Sequence, residues 1–131
     1  MTQRILLLDD EPVILLDLEL AVEDRGAVPN AACTVEQALA VIAQHSGELF
    51  AAVLDVSLSA GTDCHPVARE LDRLGIPYIL HSGDIDRHPE HIRNLDADRV
   101  SKPMAAEKVI AAAIAIAQTR SDRWQSRIAA E

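Results

Sequence analysis

The chain has 131 residues, a formal net charge of −9 and an isoelectric point near 4.9. That length suits one domain, which buries roughly two-thirds of the surface its unfolded form exposes and leaves no room for a second sizeable core. So acidic a balance argues against a nucleic-acid partner, because binding a phosphate backbone calls for clustered Lys and Arg.

With 49% hydrophobic but only 2% aromatic residues, Leu, Ile, Val and Ala must fill the interior, as they do where helices pack on a sheet. Cys33 and Cys64 stand in no CxxC or Cys/His framework, which predicts neither a disulfide scaffold nor a zinc site and makes a reducing cytoplasm the simplest compartment. The first apolar run, residues 5–8, is far too short for a signal peptide or membrane span and reads as a buried strand. A helix is expected over 12–24, with Pro12 in the first turn where a missing N–H costs nothing, and Gly26 ends it.

A weak strand follows near 27–32, then a helix capped by Thr34 runs to about residue 44. Residues 50–56 form a continuous apolar strand, as a central parallel strand should, with Asp55 at its end. Beyond a Ser/Gly/Thr loop come a helix over 64–74, Gly75 and a strand over 76–81. The next stretch is polar and predicts only a short helix near 89–95. A strand over 98–101, Lys102-Pro103 and a long helix from about 105 to at least 120 complete the pattern, and residues 121–131 form a tail that prolongs the helix. Strands alternating with helices predict a doubly wound (βα)5 α/β fold, a five-stranded parallel sheet with helices on both faces.

In such a sheet ligands gather beyond the carboxyl ends of the strands. Asp9 and Asp10 follow the first strand, Asp55 ends the third, Ser82 ends the fourth and Lys102 follows the fifth. Converging carboxylates repel one another unless a cation neutralises them, and a hard divalent ion such as Mg²⁺, or Mn²⁺, accepts carboxylate, carbonyl and water oxygens. Asp55 is the candidate nucleophile for phosphoryl transfer, a reaction in which the protein chiefly positions groups and balances charge. Each element alone has a plainer reading as a cap, a turn or a loop; their placement at successive strand ends carries the reading.

The segments Leu6-Leu7-Leu8-Asp9-Asp10-Glu11-Pro12, Ala52-Val53-Leu54-Asp55-Val56, Ile76-Pro77-Tyr78-Ile79-Leu80-His81-Ser82-Gly83 and Val100-Ser101-Lys102-Pro103 together resemble the receiver domain of two-component response regulators, over about residues 3–118. The resemblance implies a stand-alone receiver of flavodoxin-like fold, with strand order 2-1-3-4-5, whose Asp55 takes a phosphoryl group from a sensor histidine kinase or phosphotransfer protein. It implies that Asp10, Asp55 and the Ser57 backbone carbonyl ligate Mg²⁺, with Asp9 acting through water. It also implies that Ser82, Gly83, Lys102 and Pro103 form the phosphoryl-binding and switch elements, and that the Lys102-Pro103 peptide is cis.

The loop Ser57-Leu58-Ser59 lacks the family's Met-Pro, and Arg99 stands where an aromatic switch residue is usual, so aromatic-to-serine coupling is not expected in its usual form. The first helix carries a second apolar face, Val13, Leu16 and Leu20, and the last helix widens its stripe with Val109, Ala113 and Ile116. These faces predict a homodimer or partner surface on those helices. A receiver-like adaptor that binds its partner without phosphorylation stays open as the alternative, and no membrane partner is expected.

Overall fold

The computed structural model describes residues 3–83, 89–95 and 97–130, excluding the side chains of Ala60 and residues 121–130. In chain order the elements are β1 (Arg4–Leu8), α1 (Pro12–Asp24), β2 (Val28–Ala32), α2 (Val35–His45), β3 (Leu49–Asp55), α3 (His65–Leu74), β4 (Tyr78–Ser82), α4 (Glu90–Arg93), β5 (Asp98–Ser101) and α5 (Ala106–Ala130). A single 3-10 turn, Ser59–Gly61, lies between β3 and α3.

All neighbouring strands pair in parallel, in the order β2-β1-β3-β4-β5. The expected doubly wound fold is therefore the observed one. Strand alternation divides the core. Leu6, Leu8, Ala52, Leu54 and Leu80 face α2, α3 and Ile92 of α4, whereas Ile5, Leu7, Val53 and Ile79 face α1 and α5. Both faces of the central strands are thus dry, which is why β1 and β3 read as unbroken apolar runs.

β2 pairs only with β1, and this edge position tolerates Pro29, which has no N–H to donate. Thr34 accepts the Gln37 N–H at 3.1 Å and starts α2 as its side chain predicts. Gly75 closes α3 at φ 72°, a left-handed conformation that other residues reach only with strain. β4 begins later than expected, because Ile76 and Pro77 serve as the entry to the strand, and α4 is a single short turn.

The two apolar faces predicted on α1 and α5 have different fates. Val13, Leu16 and Leu20 of α1 are 75%, 55% and 52% exposed. On α5, by contrast, Val109, Ile110, Ala113 and Ala117 are buried under the sheet and Ile114 and Ile116 pack half-buried beside them. The breadth of the α5 stripe is core, because α5 covers β3 and β4 while also packing on α1. Among the described residues no helix is long and apolar enough to cross a membrane.

Candidate functional site

β1 delivers Asp9 and Asp10 to the carboxyl edge of the sheet. Asp9 is 1% exposed, and its Oδ1 accepts the Glu11 N–H at 2.9 Å, which turns the chain into α1. Asp10 is half-buried, and its Oδ2 accepts the Ser59 hydroxyl at 2.7 Å. Ser59 lies 49 residues away, in the loop where the resemblance breaks down, and was not singled out from the sequence. Its signal there was faint: a Ser in place of a Pro adds a donor beside an expected ligand.

β3 carries Asp55 to the same edge, 5% exposed. Each of Asp9, Asp10 and Asp55 presents one carboxylate oxygen, and the three lie within 4.8 Å of one another. Burial, followed by repulsion from Asp9 and then Asp10, pushes the Asp55 carboxyl up to about 7, against the opposing pull of Lys102. The Lys102 ammonium lies 3.2 Å from Asp9 Oδ2, 3.3 Å from Asp55 Oδ1 and 3.9 Å from Glu11 Oε1. Burial works against its charge, yet Asp55 and Asp9 outweigh burial and raise its pKa.

Lys102 arrives there because its backbone N–H donates to the Ser82 carbonyl at 2.9 Å, continuing the β4–β5 ladder by one residue, and the Lys102-Pro103 peptide is cis. Ser82 ends β4 buried at this edge. Gly83 follows it exposed; a Cβ there would meet nothing within 4 Å, so no steric need for glycine arises from the fold. Ser57 sits on the loop immediately beyond Asp55, bridged to Asp63.

Arg99, where an aromatic was expected by resemblance, turns to α4. Its guanidinium donates at 2.6 Å to the carbonyl of Arg93, one of the groups that a helix end leaves without a partner, and reaches the Leu95 and Ala97 carbonyls beyond the helix at 3.4 Å. α4 is tied at its other side too: His91 Nε2 lies 2.9 Å from Asp63 Oδ2, and its ring meets that of His65 edge-on at 4.8 Å between centroids. Burial opposes the charge on Asp63, but the His65 N–H and then His91 hold its carboxyl below the usual range. The sequence singled out neither of these ties, since each joins residues of separate elements.

Three acids and a lysine gather in this way at the carboxyl edge of a parallel sheet in the order 2-1-3-4-5. The chain has the fold of the response regulator receiver domains. It is similar to a response regulator receiver protein from Sinorhizobium medicae WSM419, with 24% identity, a TM-score of 0.76, and 91% of this chain and 97% of that one covered. It is also similar to SdrG from Sphingomonas melonis Fr1, at 32% identity, a TM-score of 0.71 and 89% and 97% coverage. A CheY-like receiver domain protein from Methanospirillum hungatei JF-1 aligns at 20% identity with a TM-score of 0.77, covering 94% of this chain and 99% of that one. No family model and no curated protein matches the sequence.

The donor set suits a hard divalent cation. Three carboxylate oxygens, no thiolate and no imidazole lie within the cluster, and the burden of burying them together is what a cation relieves.

Proposed function

We propose that the chain is a response regulator receiver that accepts a phosphoryl group on Asp55 from a phosphohistidine of a sensor histidine kinase or phosphotransfer protein. One observation carries the reading: three strand-end carboxylates within 4.8 Å, with the Lys102 ammonium 3.3 Å from Asp55. Asp10, Asp55 and the Ser57 carbonyl would hold Mg²⁺, Asp9 would reach it through water, and the ion would supply charge neutralisation at the phosphoryl oxygens.

In the transfer an Asp55 carboxylate oxygen forms the new bond to phosphorus while the bond from phosphorus to the donor imidazole nitrogen breaks, its electron pair leaving on that nitrogen. Lys102 balances the charge arriving at Asp55, and the Ser82 hydroxyl, on the neighbouring strand β4 at the same edge, donates to a phosphoryl oxygen. Water then attacks the phosphorus, the bond from phosphorus to the Asp55 oxygen breaks, and inorganic phosphate leaves as the carboxylate returns. The chain acts in this way as a cytoplasmic signalling phosphoacceptor, with residues 1–120 as the receiver and residues 121–130 continuing α5 beyond it; residue 131 of the expected tail lies outside the described residues. Its output is a change in protein contacts, for which the exposed stripe Val13, Leu16 and Leu20 on α1 is the available apolar surface, either for a second copy or for another protein.

Incubation with acetyl phosphate and Mg²⁺ tests the reading by intact-protein mass spectrometry. The expected result is an adduct of about 80 Da, one phosphoryl group, that is absent without the metal and absent in Asp55→Asn. No adduct at saturating donor would favour a receiver-like adaptor that engages its partner without phosphorylation.

A further inference from the structure

On the α1–α5 side of the sheet a cavity of about 150 Å³ opens between Ile14 and Leu18 of α1, His81 of β4, and Lys102, Pro103 and Met104. Its lining is mostly hydrocarbon, and its volume matches the room that one benzene ring occupies in a dry protein cavity, about 150 Å³. Its polar groups are those of His81, Lys102 and Asp17. Of the residues that β3 and β4 turn to this face, Ala51, Val53 and Ile79 are apolar, and Asp55, the strand partner of His81, is polar. His81 is 3% exposed, and neither of its ring nitrogens has a hydrogen-bond partner among the protein groups around it.

A buried imidazole with both nitrogens unsatisfied is uncommon, because a lost hydrogen bond in a dry place is not compensated by water. Burial, and then the Lys102 charge, lower its pKa, so the ring is neutral and offers one donor and one acceptor. The charges at the cavity decide against an anion. The Lys102 ammonium is already shared by Asp9, Asp55 and Glu11, and the carboxylate of Asp17 borders the opening. A metal ion finds one nitrogen here and no cluster of donors.

We propose that this cavity binds an uncharged ligand of single-ring size with one hydroxyl, of the phenol class, the ring lying against Ile14, Leu18 and Met104 and the hydroxyl on the His81 imidazole. The site is built from groups that the phosphoacceptor reading does not use, apart from the shared wall at Lys102 and Pro103, and stands whether or not Asp55 is phosphorylated.

The test is an amide-resolved NMR titration of the whole chain with phenol. Saturable shifts should gather at Leu18, His81 and Met104. Toluene, the same ring without the hydroxyl, should bind roughly fivefold more weakly, the net worth of one neutral hydrogen bond. In His81→Leu that difference should vanish, and Ala106→Met, which fills the cavity from its edge, should abolish the shifts while leaving the remaining spectrum that of a folded protein. N-acetyl-tyrosinamide separates the two sources of such a group: binding equal to that of phenol points to a tyrosine of a partner protein, and binding of phenol alone to a free small molecule. The absence of saturable shifts, equal affinity for phenol and toluene in the unmodified chain, or shifts that survive Ala106→Met would each overturn the proposal.

Discussion

The carboxyl edge of the sheet has two unlike halves. On one side, β1 and β3 are buried along nearly their whole length and end in Asp9, Asp10 and Asp55. On the other, β5 has four residues, three of them exposed, and α4 is one turn that buries only Ile92. The first half is held by hydrocarbon, the second by polar links: Arg99 to the carbonyls at the end of α4, and His91 to Asp63. Chemistry that needs fixed charges sits where packing is dense, while the region able to rearrange at low cost lies next to it. A charge added at Asp55 would therefore act on a neighbour whose restraints are few and individually weak.

The largest effect should come from removing the cation of the dense half. Lys102→Met leaves Asp9 and Asp55 buried without their partner, and the urea midpoint should fall by the equivalent of about 3 kcal/mol near pH 8. The loss should be smaller at about pH 5, because a protonated Asp55 needs no counterion. A penalty independent of pH would assign the cost to lost packing and erase the electrostatic account of this half.

Asp55 itself should show the opposite sign. Its carboxyl titrates at about 7 in the folded chain against an ordinary 3.8, so between those values the folded form holds a proton that the unfolded form has released. Stability then falls as the pH rises through that window and stays reduced above it. Asp55→Asn, which carries no charge to bury, should be more stable than the unmodified chain near pH 8 by on the order of 2 kcal/mol after discounting for solvent screening. The two should converge below about pH 4. Thermal melts across pH in a chelator measure this, and a less stable variant at the high-pH end would mean that the Lys102 pair outweighs burial.

Arg99→Ala should have the smallest global effect, about 1 kcal/mol or less, since its hydrogen bonds are exposed. Its local effect should be visible in hydrogen exchange, with the amides of Ile92 to Leu95 exchanging several-fold faster while those of β1 and β3 stay unchanged. Equal acceleration in both halves would dissolve the distinction between them.

The parts of this edge that were legible in the sequence are those that depend on strand position alone. Asp55 at the end of an apolar run, Asp9 and Asp10 after another, Ser82 and Lys102 after the last two strands: a parallel sheet brings such ends together whatever the details of its helices. Ser59 on Asp10, Arg99 on α4 and His91 on Asp63 were not legible, because each depends on how two loops or helix ends meet, and no periodicity encodes that meeting. The same limit explains α5. Its wide apolar stripe looked like a free surface because periodicity counts apolar positions and not the elements that cover them.

From the sequence alone, then, came the five alternating units and the set of charges at one edge, because alternation of apolar runs and the rule of strand ends act locally, while the strand order came with the family resemblance. The tertiary structure decided which apolar face stays exposed, α1 but not α5, and which polar groups have partners. It left His81 buried without one beside a ring-sized cavity, because burial and partnership are properties of neighbours that lie far apart along the chain.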